Sequence, residues 1–348
     1  MKNESICVGV TALKTVESPQ PGFAVARALK EAGFKIIGMD DTPLTSAIIS
    51  PYFNSVYVVS SLKNEDFERF KKDILRIKNK EGLDIIIPCY DKEVFFFVKY
   101  KKQIEDLGIK LLLPDINSLK LTSKPFLGNL KKFGILTPKE TIVSNKSELE
   151  KACKRFGFPV MCKGVIKDAY IAKDFTDALI FFDRIREIWH GGKGSIILQE
   201  FIVGDFYCVA GVSNYNNKIV QQIQMKKLGI DSKGTTWSGY TIKDKELEKL
   251  AKDIIDSVKW VGPFELEFIK YNKNGKFYLF EINPRMPSWI YLSVFANQNL
   301  PIAITKILLK QRLKENKTYK QNIAFVRHTD EISFELSKIK KTGNIKIQ

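Results

Sequence analysis

Short apolar runs alternate with amphipathic stripes over the first third of the chain. "ICVGVTA", "KIIGMD", "LDIIIPCY" and "IKLLLP" read as buried strands. Between them, "GFAVARALKEAG", "FERFKKDILRIKNK" and "EVFFFVKYKKQIEDLG" carry apolar residues at helical spacing. Strand and helix in strict alternation over residues 5–113 predict a parallel, doubly wound sheet. A boundary is expected near Pro114–Leu121. No GxGxxG follows the first strand, so the pattern does not carry a dinucleotide fingerprint.

Beyond residue 118 the rhythm changes. "NSLKLTSKPFLGNLKKFGI" reads as a helical segment interrupted at Pro125, "SELEKACKRFG" and "DFTDALIFFDRIREI" as helices, and "FPVMCKG" as a strand. "SIILQEFIVGDFYCVAGVSN" and "KIVQQIQMKKLGI" are expected to pair antiparallel through a turn at Asn216-Asn217. After "GTTWSGYTI" and the helix "DKELEKLAKDIIDSVKW" comes "FELEFIKYNKNGKFYLFEINPR", a hairpin turning at Asn272–Gly275.

That hairpin holds the clearest chemistry. Alternate residues of a strand share a face, so Glu265 aligns with Glu267, and Glu281 with Asn283. A short turn would bring Glu267 beside Glu281, and two adjacent carboxylates repel unless a cation lies between them. Oxygen donors of this type suit magnesium, with Arg285 beyond them for a phosphate or carboxylate oxygen. A solvent-exposed hairpin with polar ends is the plainer alternative. Lys163, at the end of "FPVMCKG", needs water or an anion at its head, and Glu200 in "LQEFIVG" lies on an edge-like segment able to hydrogen-bond an adenine.

Composition narrows the class. Hydrophobic residues make up 44% and charged residues 27% of 348, enough for a cored protein of two or three domains. Five scattered cysteines, none in a CxxC pair, argue against a disulfide framework or structural zinc and for a reducing compartment. The start of the chain lacks a signal-peptide pattern, and no apolar run approaches the ~20 residues of a membrane span, so a cytoplasmic protein is expected. The net charge of +17 comes from lysines spread along the chain, with only nine arginines. Without a nucleic-acid-binding motif, this charge argues for solvation, or for attraction of an acidic substrate, over nucleic-acid binding. The two histidines, His190 and His328, have no nucleophile near them in sequence, which disfavours Ser–His or Cys–His catalysis.

The order of "FPVMCKG", "LQEFIVG", "GPFELEF" and "FEINPR" resembles the ATP-grasp superfamily, in particular its carbamoyl-phosphate-synthetase-like and biotin-carboxylase-like branch. The resemblance covers nearly the whole chain, and "EINPR" after an acidic strand is its most specific part. It implies an α/β protein, with a Rossmann-like pre-ATP-grasp domain over 1–115 followed by a two-lobed α+β ATP-grasp fold. The first lobe would span 116–195, the lobe with the metal site 196–312, and a C-terminal extension 313–348. The cofactors implied are ATP and Mg2+, with Mn2+ as a substitute.

Residue by residue, the resemblance gives Lys163 and Lys124 to the nucleotide phosphates, and the backbone of Glu200, Phe201 and Ile202 to the adenine. Met161, Ile269 and Phe280 become apolar walls. Glu267, Glu281 and Asn283 become the metal ligands, and Arg285 the residue that steadies the transferred group. Asp205 stands in for the ribose-binding acid, although Phe206 occupies that acid's usual place. The segment "GVIKDAYIA" lacks the glycine-rich run that often covers the phosphates, and Lys167 offers a partial substitute.

The implied reaction joins a carboxylate to an amine through an acyl phosphate, on small-molecule or peptide substrates. An amino-acid or peptide ligase is expected rather than a bicarbonate-using synthetase, because no second ATP-grasp half or biotin-related segment is present. Ser288, Trp289 and Gln298 would border the acceptor, with Thr235, Thr236 and Trp237 closing another side. Either Lys226 or Lys227 would hold the donor carboxylate. No membrane partner is implied, and a homodimer is compatible with this class. The competing readings are a nucleotide-binding scaffold without turnover and a carboxylate kinase that makes no amide.

Overall fold

The computed structural model describes residues 6–14, 21–62, 65–164, 168–231, 234–313, 318–328 and 344–345. The alternation at the start builds β1 (Cys7–Val10), α1 (Pro21–Lys30), β2 (Lys35–Asp40), β3 (Ser55–Val58), α2 (Phe67–Glu81), β4 (Leu83–Ile87) and α3 (Asp91–Lys99). The four strands are parallel in the order β3-β2-β1-β4. Helix α2 shows how sequence fixes an element: Phe67, Phe70, Ile74 and Ile77 form its buried stripe. Asp66 caps its first turn and Gly82, at φ 76°, ends it. Each such side chain contributes ~1.5–3 kcal/mol of transfer free energy.

Two expectations are corrected here. "IKLLLP" does not become a full strand; Lys110 makes a single parallel bridge with Ile85, while Leu111, Leu112 and Leu113 are buried. The helix expected over "EVFFFVKYKKQIEDLG" is two, α3 and α4 (Lys101–Asp106), separated at Tyr100.

The interruption at Pro125 is real: α5 (Ile116–Leu121) is followed by a 3-10 helix, Lys124–Phe133, with the proline in its first turn. Next come β5 (Glu140–Val143), α6 (Lys146–Phe156), β6 (Val160–Lys163), β7 (Ala169–Ala172), α7 (Phe175–His190) and β8 (Ile196–Glu200). These strands form an antiparallel sheet in the order β5-β8-β6-β7. The segment after Lys163 returns as strand β7; Lys167 lies outside the described residues.

The third sheet contains β9 (Gly204–Ser213), β10 (Ile219–Ile230), β11 (Thr236–Ile242), β12 (Gly262–Tyr271) and β13 (Phe277–Asn283). Helix α8 (Lys245–Val258) lies between β11 and β12, and α9 (Leu292–Phe295) and α10 (Leu300–Leu308) follow β13. The expected C-terminal extension contributes to both large sheets. β14 (Ala324–Val326) extends the third sheet to β13-β12-β9-β10-β11-β14, and β15 (Asn344–Ile345) pairs antiparallel with β3.

Three apolar cores follow from these layers. One runs from α2 and α3 to the back of the third sheet at Phe264, Leu266 and Leu279. A second joins α1 and the parallel sheet to Cys208, Ala210, Met225, Met286, Trp289 and α10. The small sheet with α6 and α7 has a core of its own. Among the described residues, no helix is long and apolar enough to cross a membrane.

Candidate functional site

The hairpin β12–β13 has the register expected from its turn. Glu267 pairs directly with Glu281, and Glu265 with Asn283. Between Glu267 and Phe268 the register shifts. The extra residue is Phe280, a β-bulge that re-aims the end of β13. Paired residues project from the same face, so Cys208, opposite Glu267, and Phe206, opposite Ile269, mark that face on β9. Its uncovered end is the candidate site.

Cations from three elements meet the two carboxylates. Lys124, which opens the 3-10 helix, places Nζ 3.2 Å from Glu281. Lys227 of β10, its side chain only 4% exposed, donates to Glu267 at 2.5 Å. Lys163, at the end of β6, lies over the Phe280 ring, 5.5 Å from its centroid. Burial would raise the Glu281 carboxyl, but the ammoniums of Lys124 and Lys163 outweigh it and hold the group down at about 2. Lys163 moves the other way: burial, reinforced by the nearby Lys124 charge, brings it down to about 8 against the pull of Glu281. Burial also works against the charge of Lys227, yet Cys208, Glu267 and Glu265 keep its pKa above the usual lysine range.

Arg285 is paired on two sides, 3.3 Å from Asp91 at the start of α3 and 3.5 Å from Glu265. It thereby ties the parallel-sheet domain to the hairpin. Asn283 Nδ2 donates to Glu265 at 2.9 Å and to Glu267 at 3.0 Å, which fixes both carboxylates. Burial and the adjacent Glu267 push Glu265 up to about 7.

The other residues singled out in the sequence divide clearly. Met161 shares its strand face with Lys163, and Phe280 packs edge-on against Phe206, 5.8 Å between centroids, beside the buried Ile269. The Glu200 amide donates to Lys139 O at 2.8 Å, which commits that group; Phe201 and the buried Ile202 continue into the connection to β9. A glycine is needed there, since a Cβ on Gly204 would lie 2.0 Å from Lys270 O. Thr236 is buried at the start of β11, and Trp237 is 45% exposed.

Three expectations are corrected by strand alternation and packing. Lys226 pairs with Tyr207, so it projects from the face opposite Glu267 and bonds Asp205 at 2.7 Å. Lys227 is the inward lysine, and Asp205 is turned away from the site with Phe206 in its place. Trp289 does not border an open pocket: it is 4% exposed and its indole N–H donates to Glu265 at 2.7 Å. Gln298 is likewise buried.

Arg327 was missed. It follows β14, its amide donates to Trp237 O at 2.8 Å, and its guanidinium donates to Ser288 Oγ at 2.8 Å. Burial lowers its pKa, with the Asp231 carboxylate pulling the other way. Its place depends on a strand contributed about 40 residues after the hairpin, which no local pattern announces.

Among the described residues there is no group of three His, Cys, Asp or Glu side chains set to hold a metal. Two carboxylates and an amide oxygen nevertheless fit a hard cation that takes its remaining ligands from water and phosphate. The lysines now neutralising Glu267 and Glu281 mark where positive charge is required.

Comparison with known proteins agrees with this geometry. Residues 193–332 match the family model described as "ATP-grasp in the biosynthetic pathway with Ter operon". The chain is 22% identical over 287 residues to the carbamoyl phosphate synthase large chain of Campylobacter jejuni, covering 76% of this chain and 25% of that one. It is 25% identical to the formate-dependent phosphoribosylglycinamide formyltransferase of Prochlorococcus marinus, covering 83% and 72%. Its fold matches the crystal structure of a biotin carboxylase–β,γ-ATP complex from Campylobacter jejuni with a TM-score of 0.70 at 15% identity, over 91% of this chain and 74% of that one. Over residues 193–332 the chain is thus similar to an ATP-grasp family, and over most of its length its fold is that of biotin carboxylase.

Proposed function

We propose that the protein is an ATP-dependent ligase that joins a carboxylate to an amine through an acyl phosphate, releasing ADP and phosphate. One observation carries this reading: Lys124 and Lys163 converge on Glu281 while Glu281 faces Glu267 across the hairpin. Cations and carboxylates so juxtaposed suit a nucleotide triphosphate and its divalent ion. Similarity to a carbamoyl phosphate synthase and a formyltransferase, and to a fold neighbour solved with β,γ-ATP, supports the class.

In this reading Glu267, Glu281 and Asn283 hold magnesium, which when bound neutralises phosphate charge. Lys124 and Lys163 leave Glu281 for the phosphate oxygens. Met161, Phe206, Ile269 and Phe280 wall the base and sugar, and the backbone of 200–202 reads the adenine edge. A donor carboxylate oxygen attacks the γ-phosphorus, forming one P–O bond as the bond to ADP breaks. The amine nitrogen then attacks the acyl carbon, and phosphate leaves with the C–O electron pair. Arg285, held by Asp91 and Glu265, and Lys227, held by Glu267, organise the centre. Arg327, held at Ser288 and beside Trp237, is the cation assigned to orient the donor carboxylate.

The test is ADP release from MgATP across a panel of carboxylates, amino acids and dipeptides included, with hydroxylamine as the amine. Ligation through an acyl phosphate predicts carboxylate-dependent ADP together with a hydroxamate, and transfer of 18-oxygen from the carboxylate to phosphate. ADP release without oxygen transfer would overturn the route.

A further inference from the structure

The carboxylates given to the metal are already engaged by the chain itself. Glu267 accepts from Lys227 Nζ through Oε2 at 2.5 Å and from Asn283 Nδ2 through Oε1 at 3.0 Å. Glu281 pairs with Lys124 at 3.2 Å and lies in the field of Lys163. Arg285 pairs with Asp91 and Glu265. Lys124, Lys163, Lys227 and Arg285 thus stand against Glu265, Glu267, Glu281 and Asp91, and at neutral pH these groups carry no net negative charge. A divalent ion entering alone meets cations that outweigh or match every carboxylate it would use.

Lys227 sets the cost of entry. Its side chain is 4% exposed, so an ammonium that gives up Glu267 has no water to turn to. Burial keeps the Cys208 thiol, opposite Glu267 on β9, protonated, and it offers no replacement charge. The ring of Phe206, which walls the base and sugar in the ligase reading, lies 6.0 Å from the Lys227 head. Taking Glu267 from Lys227 therefore leaves a buried charge unpaired, which is strongly unfavourable unless an anion arrives with the metal. The phosphates of a nucleotide are such an anion.

We propose that Lys227 is a positioning residue that closes Glu267 to free divalent metal, so that metal and nucleotide load together. The phosphates take over Lys227 as the metal takes Glu267. The inference rests on the ligase reading of the hairpin and adds to it an order of loading.

Mn2+ is the probe, followed by water-proton relaxation on the full chain without nucleotide. Lys227→Met removes the charge and keeps the length of the side chain. It is expected to bind Mn2+ at least about tenfold more tightly than the wild type, and Glu267→Gln added to it should abolish the gain. A lysine that served stability alone would give no such gain. Equal or weaker Mn2+ binding by the folded Lys227→Met chain, or a gain that survives Glu267→Gln, would overturn the proposal. If Lys227→Met does not fold, the wild type decides: ADP should tighten Mn2+ at least about tenfold. Mn2+ held as tightly without ADP as with it, or not held with ADP at all, would overturn the proposal. Hydroxamate formation reports separately on the ligase reading, so either can fail alone.

Discussion

At the scale of single residues, Glu281 and Lys163 illustrate opposite consequences of one electrostatic arrangement. Glu281 titrates at about 2, below the ordinary glutamate value of ~4.3. Its contribution to stability is therefore complete above ~4.3 and is lost as pH falls toward 2. Glu281→Gln leaves Lys124 and Lys163 without their main counter-charge. We expect it to cost about 1–3 kcal/mol in urea denaturation, to remain folded, and to abolish ADP production. Near-normal turnover by the folded variant at limiting magnesium would exclude a role in the site. Lys163, brought down to about 8, is charged in both folded and unfolded chains below that pH, and loses its charge in the folded chain first as pH rises. The kcat/KM for ATP should accordingly fall on the alkaline side near pH 8, and Lys163→Arg should move that limb upward by more than one pH unit. A limb that stays fixed in the variant assigns it to another group.

At the scale of elements, what could be read in the chain was what is local. Short apolar runs alternating with helical patterns gave the parallel-sheet domain, and the Asn272–Gly275 turn gave the register that sets Glu267 against Glu281. Alternation also implied that only one of Lys226 and Lys227 could face inward, though the choice needed the neighbouring strand. What escaped depends on long-range pairing. β3 and β7 are short strands with weak patterns, and β14 finds β11 across more than eighty residues. Tyr319 anchors that return: its hydroxyl donates to Ile242 O at 2.6 Å and accepts from Gln224 N at 3.1 Å. Tyr319→Phe orphans both groups and should cost about 1–3 kcal/mol by urea denaturation. It should also raise the KM of the donor carboxylate, since β14 carries Arg327 to Ser288. A loss of stability with an unchanged donor KM would confine β14 to a structural role.

At the scale of the whole molecule, the three cores divide the chain unequally. The parallel sheet and the third sheet share two of them, whereas the small sheet with α6 and α7 has one to itself. Lys163 and Met161 belong to that small sheet, Lys124 to the helix that leads into it, and the carboxylates to the shared body. A nucleotide held by Lys163 and Met161 on one side and by Glu267 and Glu281 on the other would thus add a contact between the small sheet and the shared body. Binding to the native state alone stabilises it by about 2.7 kcal/mol at a hundredfold excess over Kd. MgADP should raise the unfolding midpoint of the full chain by several degrees, and ADP with a chelator by much less, because Glu267 and Glu281 would then repel the phosphates. Glu267→Gln should remove most of the magnesium-dependent part while leaving a smaller shift from ADP alone, as Lys124 and Lys163 remain. An equal shift with and without magnesium, or one unaffected by Glu267→Gln, would separate the paired carboxylates from nucleotide binding and leave the hairpin a structural element.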